Sequence, residues 1–179
     1  MRHIAAVTYC LFLLTATYSG GASAKDVHET SDSVRTFVQD FYAWYVRKAD
    51  AGGPEANSDV ALKLKPSSFS PLLVEALKED FAAQAQSPDD VVGLDFDPFL
   101  NAQDICEHYK LGKITRVGKE YRVEIYGTCW VNKDRQPDVV AELAPMGDSW
   151  MFVNFIYPGD GDLLTVLKSL KQDRQQTSK

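Results

Sequence analysis

The sequence predicts an α+β domain in which helices come first, an antiparallel meander follows and a last helix closes the chain. Three observations carry this. Apolar residues recur at helical spacing as far as Phe81, the pattern changes toward a period of two after Ile105, and the alternating segments are joined by short turns that force antiparallel pairing. The expected architecture is a four-stranded antiparallel sheet with two N-terminal helices and one C-terminal helix packed on it. Its expected shape is cystatin-like or cone-like, with the first helix in the curve of the sheet.

The chain opens MRHIAAVTYCLFLLTATYSGGASA: one arginine, an apolar run from Ile4 to Ala16, then small residues with Ala22 and Ala24 where a signal peptidase reads. This is the layout of a cleavable secretory signal over residues 1–24, too short in its apolar part to span a bilayer, which takes roughly 20 residues. The expected location is therefore the periplasm, with no membrane insertion after cleavage. The expected domain is 25–172, followed by a polar, disordered tail at 173–179.

Residues Lys25 to Asp32 are polar and read as frayed, with the side-chain oxygens of Ser31, Asp32 and Ser33 as N-cap acceptors for the first helix. Val34, Phe37, Val38, Phe41, Trp44 and Tyr45 make its apolar face, and Gly52-Gly53-Pro54 ends it. Ser70-Pro71 starts a second helix, serine as cap and proline at the first helical position, with Leu73, Leu77 and Phe81 on one stripe and Ser87-Pro88 as its stop. LGKITRV and the alternating run Tyr121 to Val131 form a hairpin about Gly118-Lys119. DVVAELA and SWMFVNFIY supply the third and fourth strands, joined at Pro145-Met146-Gly147-Asp148. Pro158 to Asp162 breaks the sheet, and Asp160 or Asp162 caps a helix carrying Leu163, Leu164, Leu167 and Leu170.

Cleavage removes Cys10 and leaves Cys106 and Cys129, an even pair that in an oxidising compartment reads as one disulfide. The two lie equally far from a turn centred between Val117 and Gly118, so the hairpin starts them close together. Free buried thiols, or a nucleophile assisted by His108, are the alternatives. The formal charge is -6, one unit more negative without Arg2, and no Lys/Arg cluster is evident. That argues against a nucleic-acid partner and an anionic membrane surface.

The densest chemical character lies in GLDFDPFLNAQD. Asp95 and Asp97, with Asn101 and Asp104 folded back, bring enough oxygen to suggest a hard cation, but the glycine and closing glutamate of an acidic calcium loop are missing. No metal site and no cofactor are expected. Paired carboxylates also suggest acid and base roles. The chain carries no phosphate loop, no HExxH and no GxSxG to accompany them, so no catalytic residue is assigned. The remaining reading is structural: Asp97 caps a short helix PFLNAQD that begins at Pro98, while Phe96, Phe99 and Leu100 seat the connector on the core.

Among the aromatics, Phe41, Tyr42, Trp44 and Tyr45 are expected in the core with the tyrosine hydroxyls reaching outward, or lining an apolar ligand pocket. Tyr126 and Trp130, on the more polar strand face, are expected either under the second helix or exposed as contact residues. The binding candidates are thus Asp95, Asp97, Asn101, Asp104, Tyr42, Tyr126 and Trp130.

FVQDFYAWYV, SPLLVEAL, GLDFDPFLNAQD and the strand ending Trp130-Val131, in this order along nearly the whole mature chain, resemble the bacterial family called domain of unknown function 3828. The resemblance implies an exported domain of cystatin-like or nuclear-transport-factor-2-like fold with no established catalytic residues. It also implies a role as an immunity partner of secreted cell-wall-degrading toxins. Some members are lipoproteins, whereas Cys10 lies inside the apolar run, too early for lipidation. The expected function is a non-enzymatic protein-binding domain of immunity or inhibitor type. A carrier of a small apolar ligand is the alternative, and a hydrolase using Asp95 or Asp97 the third reading.

Overall fold

The computed structural model describes residues 24–51, 56–87, 89–129 and 136–177, the side chains of 24–28, 50 and 177 excepted. The expected signal segment apart from Ala24, the glycines expected to end the first helix, and Trp130 lie outside the described residues.

Helix α1 (Ala24–Asp50) precedes α2 (Asn57–Leu64), a 3-10 turn at Pro66–Ser68, and α3 (Pro71–Gln86). Strands β1 (Tyr109–Val117), β2 (Glu120–Gly127), β3 (Val139–Met146), β4 (Ser149–Tyr157) and β5 (Gly161–Asp162) form one antiparallel sheet in sequential order, and α4 (Leu163–Thr177) ends the chain. The α+β class stands. The counts differ from expectation by one helix and one strand, because α2 falls between the two expected N-terminal helices, where no element is expected, and β5 in a segment read as a sheet breaker. Within that breaker, Tyr157 still pairs with Gly161 and Ile156 with Asp162.

Val34, Val38, Phe41, Tyr42, Tyr45 and Val46 on α1 are buried against the inner sheet face, which presents Val123 and Ile125 from β2, Ala141 and Leu143 from β3, and Phe152 and Phe155 from β4. Phe41 is the hinge of this packing, its ring centroid 4.7 Å from that of Phe152 and 5.5 Å from that of Phe69. Rings of this size fill the volume between helix and sheet and contribute roughly 0.5–1.5 kcal/mol per pair beyond their area. The other face carries Arg122, Glu124, Tyr126 and Glu142, exposed or half-buried, with Arg122 bonded to Glu142 across the strands at 2.8 Å.

Several caps follow the sequence. Ser70 Oγ accepts from the Leu73 amide, α3 stops at Ser87, and Asp162 Oδ1 accepts from the Thr165 amide to start α4. Others do not. Ser31, Asp32 and Ser33 lie inside α1, which begins at Ala24; Ser33 instead accepts from the Trp150 indole at 2.7 Å, tying the helix to the β3–β4 hairpin. Pro145 and Met146 belong to β3, leaving Gly147 and Asp148 as the turn. Gly118 and Gly147 take φ of 64° and 58°, the left-handed values that a two-residue hairpin turn requires and glycine adopts without strain. Helix α4 continues to Thr177, past the point where a disordered tail was expected.

Cys106 and Cys129 form a disulfide with Cα atoms 5.4 Å apart, just outside the ends of β1 and β2. The pairing Tyr109↔Gly127 centres the open end of the hairpin on Gly118, half a residue from the centre expected, and a bulge between Leu111 and Ile114 shifts it again toward the tip. The crosslink tolerates this because both cysteines lie beyond the strand register. A Cβ on Gly127 would meet Cys106 Sγ at 2.7 Å, so only glycine leaves room for the bridge. Replacing both cysteines by serine is expected to lower unfolding free energy by about 3 kcal/mol for a loop of this length. Urea denaturation of the double variant beside the oxidised protein measures it.

Candidate functional site

The acidic connector is held from three sides. Asp97 closes the turn on itself: its amide donates to the Ala102 carbonyl at 2.8 Å and its own carbonyl accepts from the Asn101 amide at 2.8 Å. Its carboxylate caps the same turn, Oδ1 accepting from the amides of Phe99 at 3.0 Å and Leu100 at 3.2 Å. Asn101 reaches φ 51°, a left-handed conformation asparagine tolerates, and its side-chain amide donates to the Asp138 carbonyl at 3.0 Å. The expected helix PFLNAQD is therefore not formed. Asp-Pro opens a helix and a tight turn equally well, and the left-handed Asn101 followed by the Ala102–Asp97 bridge reverses the chain after one turn.

Three tyrosine hydroxyls reach the turn from outside. Tyr45 on α1 donates to Asp97 Oδ2 at 2.6 Å, Tyr42 on α1 to the Phe99 carbonyl at 2.7 Å, and Tyr157 at the end of β4 to the Pro98 carbonyl at 2.9 Å. The tyrosine hydroxyls thus point inward to the connector, correcting the outward orientation expected. This follows from burial: at 3%, 0% and 2% exposure, Tyr42, Tyr45 and Tyr157 have no water to satisfy them, and the turn supplies the acceptors. Phe99 and Leu100 are fully buried, and Phe99 packs on Phe69, Phe155 and Phe41. The segment is a plug driven into the core, fixed by polar bonds around its rim.

Of the binding candidates, Asp97 and Tyr42 meet at this plug, and Asn101 lies on its rim. Asp95 and Asp104 are exposed, Asp95 offering only its carbonyl, to the Gln103 side chain at 3.3 Å. Tyr126 lies on the outer sheet face, where its hydroxyl donates to Glu124 at 3.1 Å, so it does not join the others. No cluster of three or more His, Cys, Asp or Glu side chains suited to a metal occurs among the described residues. Sequence reasoning missed Tyr157, and it missed the role of Tyr45. The available signal was chemical: two tyrosines three apart on a buried helix face need acceptors, and a proline-containing turn has free carbonyls.

Burial pushes Asp97 up to about 6, outweighing the Tyr45 hydroxyl and the Phe99 and Leu100 amides, which pull it down. Burial, with the Asp97 charge second, also raises Tyr42 and Tyr45 far above the usual phenol range. Between about pH 4 and 6 the folded protein keeps a proton on Asp97 that the unfolded chain has lost. On this account stability falls as pH rises through that window, by on the order of 3 kcal/mol. Asp162 acts oppositely. Its partial burial raises it, but hydrogen bonds from Asn154 and Thr165 hold it below the usual carboxylate range, so its contribution is lost as pH falls. Urea titrations at pH 4.5, 6 and 7.5 are expected to show the falling slope in the native sequence and its loss in Asp97→Asn. An identical slope in both would assign it elsewhere.

A second buried acid stands apart from the plug. Asp80 on α3, 1% exposed, accepts from Arg174 Nη1 of α4 at 2.7 Å and from the Leu94 amide at 2.9 Å, and the same guanidinium nitrogen reaches the Val92 carbonyl at 2.9 Å. This latch aligns the strand of connector that leads into Asp95 and Asp97. Compared with protein-family models, with curated proteins and with solved structures, the chain matches none of them.

Proposed function

We propose that the protein is an exported, non-enzymatic binding domain that recognises another protein, of the immunity or inhibitor type, on a cystatin-like scaffold in which the sheet wraps α1. One observation carries the proposal: the acid with the chemistry of a general acid or base, Asp97, spends both carboxylate oxygens on internal donors. A catalytic carboxyl must instead face a substrate atom within hydrogen-bond reach. The disulfide supports an oxidising compartment, and no helix among the described residues is long and apolar enough to cross a membrane. The N-terminal signal pattern and the resemblance to domain of unknown function 3828 point the same way.

The carrier reading loses support because the helix-sheet volume is filled by the rings of Phe41, Phe99, Phe152 and Phe155. The test is affinity capture from periplasmic extract with chemical crosslinking. One protein, enriched in stoichiometric amount and competed away by free domain, is expected. Capture of nothing above a scrambled control, together with a co-purifying small molecule in native mass spectrometry, would reverse the order of the two readings.

A further inference from the structure

We propose that the free edge of β1 docks an extended, acidic polypeptide segment, which adds to the sheet as a further strand. The proposal rests on the protein-binding reading above and says where the partner sits and what charge it carries.

Strand β1 ends the sheet order, with β2 on one side and no strand on the other among the described residues. Such an edge presents a row of backbone donors and acceptors that an extended chain can pair with. The bulge between Leu111 and Ile114 interrupts the row, but Ile114 to Val117 pair with β2 in unbroken register, a run of about 13 Å at the usual strand rise. That run is the part of the edge suited to a new strand.

Charge selects the partner. The segment YKLGKITRVGK carries Lys110, Lys113, Arg116 and Lys119 and no acid, in a chain of formal charge -6. Elsewhere Lys63, Arg122, Lys171 and Arg174 are ion-paired, whereas none of these four lies within ion-pair distance of a carboxylate among the described residues. Lys110 stands opposite Tyr126 and Arg116 opposite Tyr121, which belong to opposite sheet faces, so the cations rise on both sides of the edge. The nearest acid across the ladder, Glu124, accepts from the Lys113 amide and the Tyr126 hydroxyl, which fixes it over the bulge; Glu120 lies beyond, at the turn. Read along the sequence these residues form no compact cluster, but the strand aligns them.

A second copy of β1 is a poor occupant, because edge-to-edge pairing would set like charges opposite one another. An acidic extended segment satisfies the backbone row and the cations together, and attraction of this kind mainly sets encounter rate and selectivity.

The test uses the isotopically labelled mature chain and a synthetic octapeptide alternating glutamate and valine. Amide shifts centred on residues 114–117 are expected, with affinity weakened about 30-fold by combined Lys110→Glu, Lys113→Glu and Arg116→Glu, which leaves the melting temperature unchanged. Absence of shifts, shifts elsewhere, or equal binding of a single-stranded oligonucleotide overturns the proposal. Edge lysines also guard strands against self-pairing. A glutamine version of the three sites that dimerises, while the native protein ignores the peptide, likewise overturns it. In the extract experiment, capture of the same protein by the native and charge-reversed domains refutes the edge and leaves the protein-binding reading standing. Peptide binding without any captured protein does the reverse.

Discussion

Asp97→Ala is expected to cost about 3 kcal/mol or more and to lower the melting temperature by roughly 10 °C, while Asp97→Asn costs under about 1 kcal/mol near neutral pH. The alanine leaves the Tyr45 hydroxyl and the Phe99 amide without their acceptor at the rim of a buried plug, and the Leu100 amide with only its 3.3 Å bond to the carbonyl of residue 97. Each unsatisfied buried group costs on the order of 1–3 kcal/mol, and the lost carboxyl volume adds a small cavity. Asparagine keeps Oδ1 for the two amides and presents an N–H to the Tyr45 oxygen, which can accept as readily as it donates. It also removes a charge that burial disfavours. A catalytic carboxyl would give the reverse pattern: activity lost in both variants, with stability nearly intact. Thermal and urea unfolding of the two variants side by side separate these outcomes.

Arg174→Ala is the second large effect, expected at about 3–5 kcal/mol, and ending the chain after Gln172 is expected to cost as much. Removing the guanidinium strands the Asp80 carboxylate, 1% exposed, with only the Leu94 amide as partner. Breaking a buried pair from one side is costly for this reason, even where the intact pair adds little net stability. The loss is expected to exceed that of Lys171→Ala, which removes an exposed pair to Glu79 worth less than about 1 kcal/mol. Gly93→Ala probes the latch independently, since its Cβ would lie 2.7 Å from Asp80 Oδ2. If truncation after Gln172 left the urea midpoint unchanged, the last turns of α4 would be the dispensable tail their polarity suggests.

What the sequence disclosed was what local patterns encode. The stripe from Val34 to Tyr45, the Ser70-Pro71 start, the alternation of β2 to β4 and the glycines at 118 and 147 each act through neighbours in the chain, and each appears in place. The misses share a different cause. Helix α2 spans eight residues and buries only Ser58, Ala61 and Leu62, too few to set up a readable period. Residues after Lys171 are polar on every side, and they remain helical because Arg174 finds Asp80 far away in sequence. Strand β5 is held by β4 alone, in a Gly-Asp sequence that reads as a turn.

The candidate site divides in the same way. That Asp97 caps a connector could be read from Asp-Pro followed by apolar residues; that the product is a turn with left-handed Asn101 rather than a helix could not, since both begin alike. The tyrosine ring of donors spans 57, 52 and 59 positions to its acceptors, and no pattern along one chain reports such distances.

The most direct measurement is a double-mutant cycle between Asp97→Ala and Tyr45→Phe, followed by urea unfolding at pH 7.5. If the carboxyl is an internal strut, the two changes should be strongly non-additive, with a coupling of about 1–3 kcal/mol. Additivity within about 0.5 kcal/mol, with Asp97→Ala folding as firmly as the native chain, would return Asp97 to the surface and to chemistry.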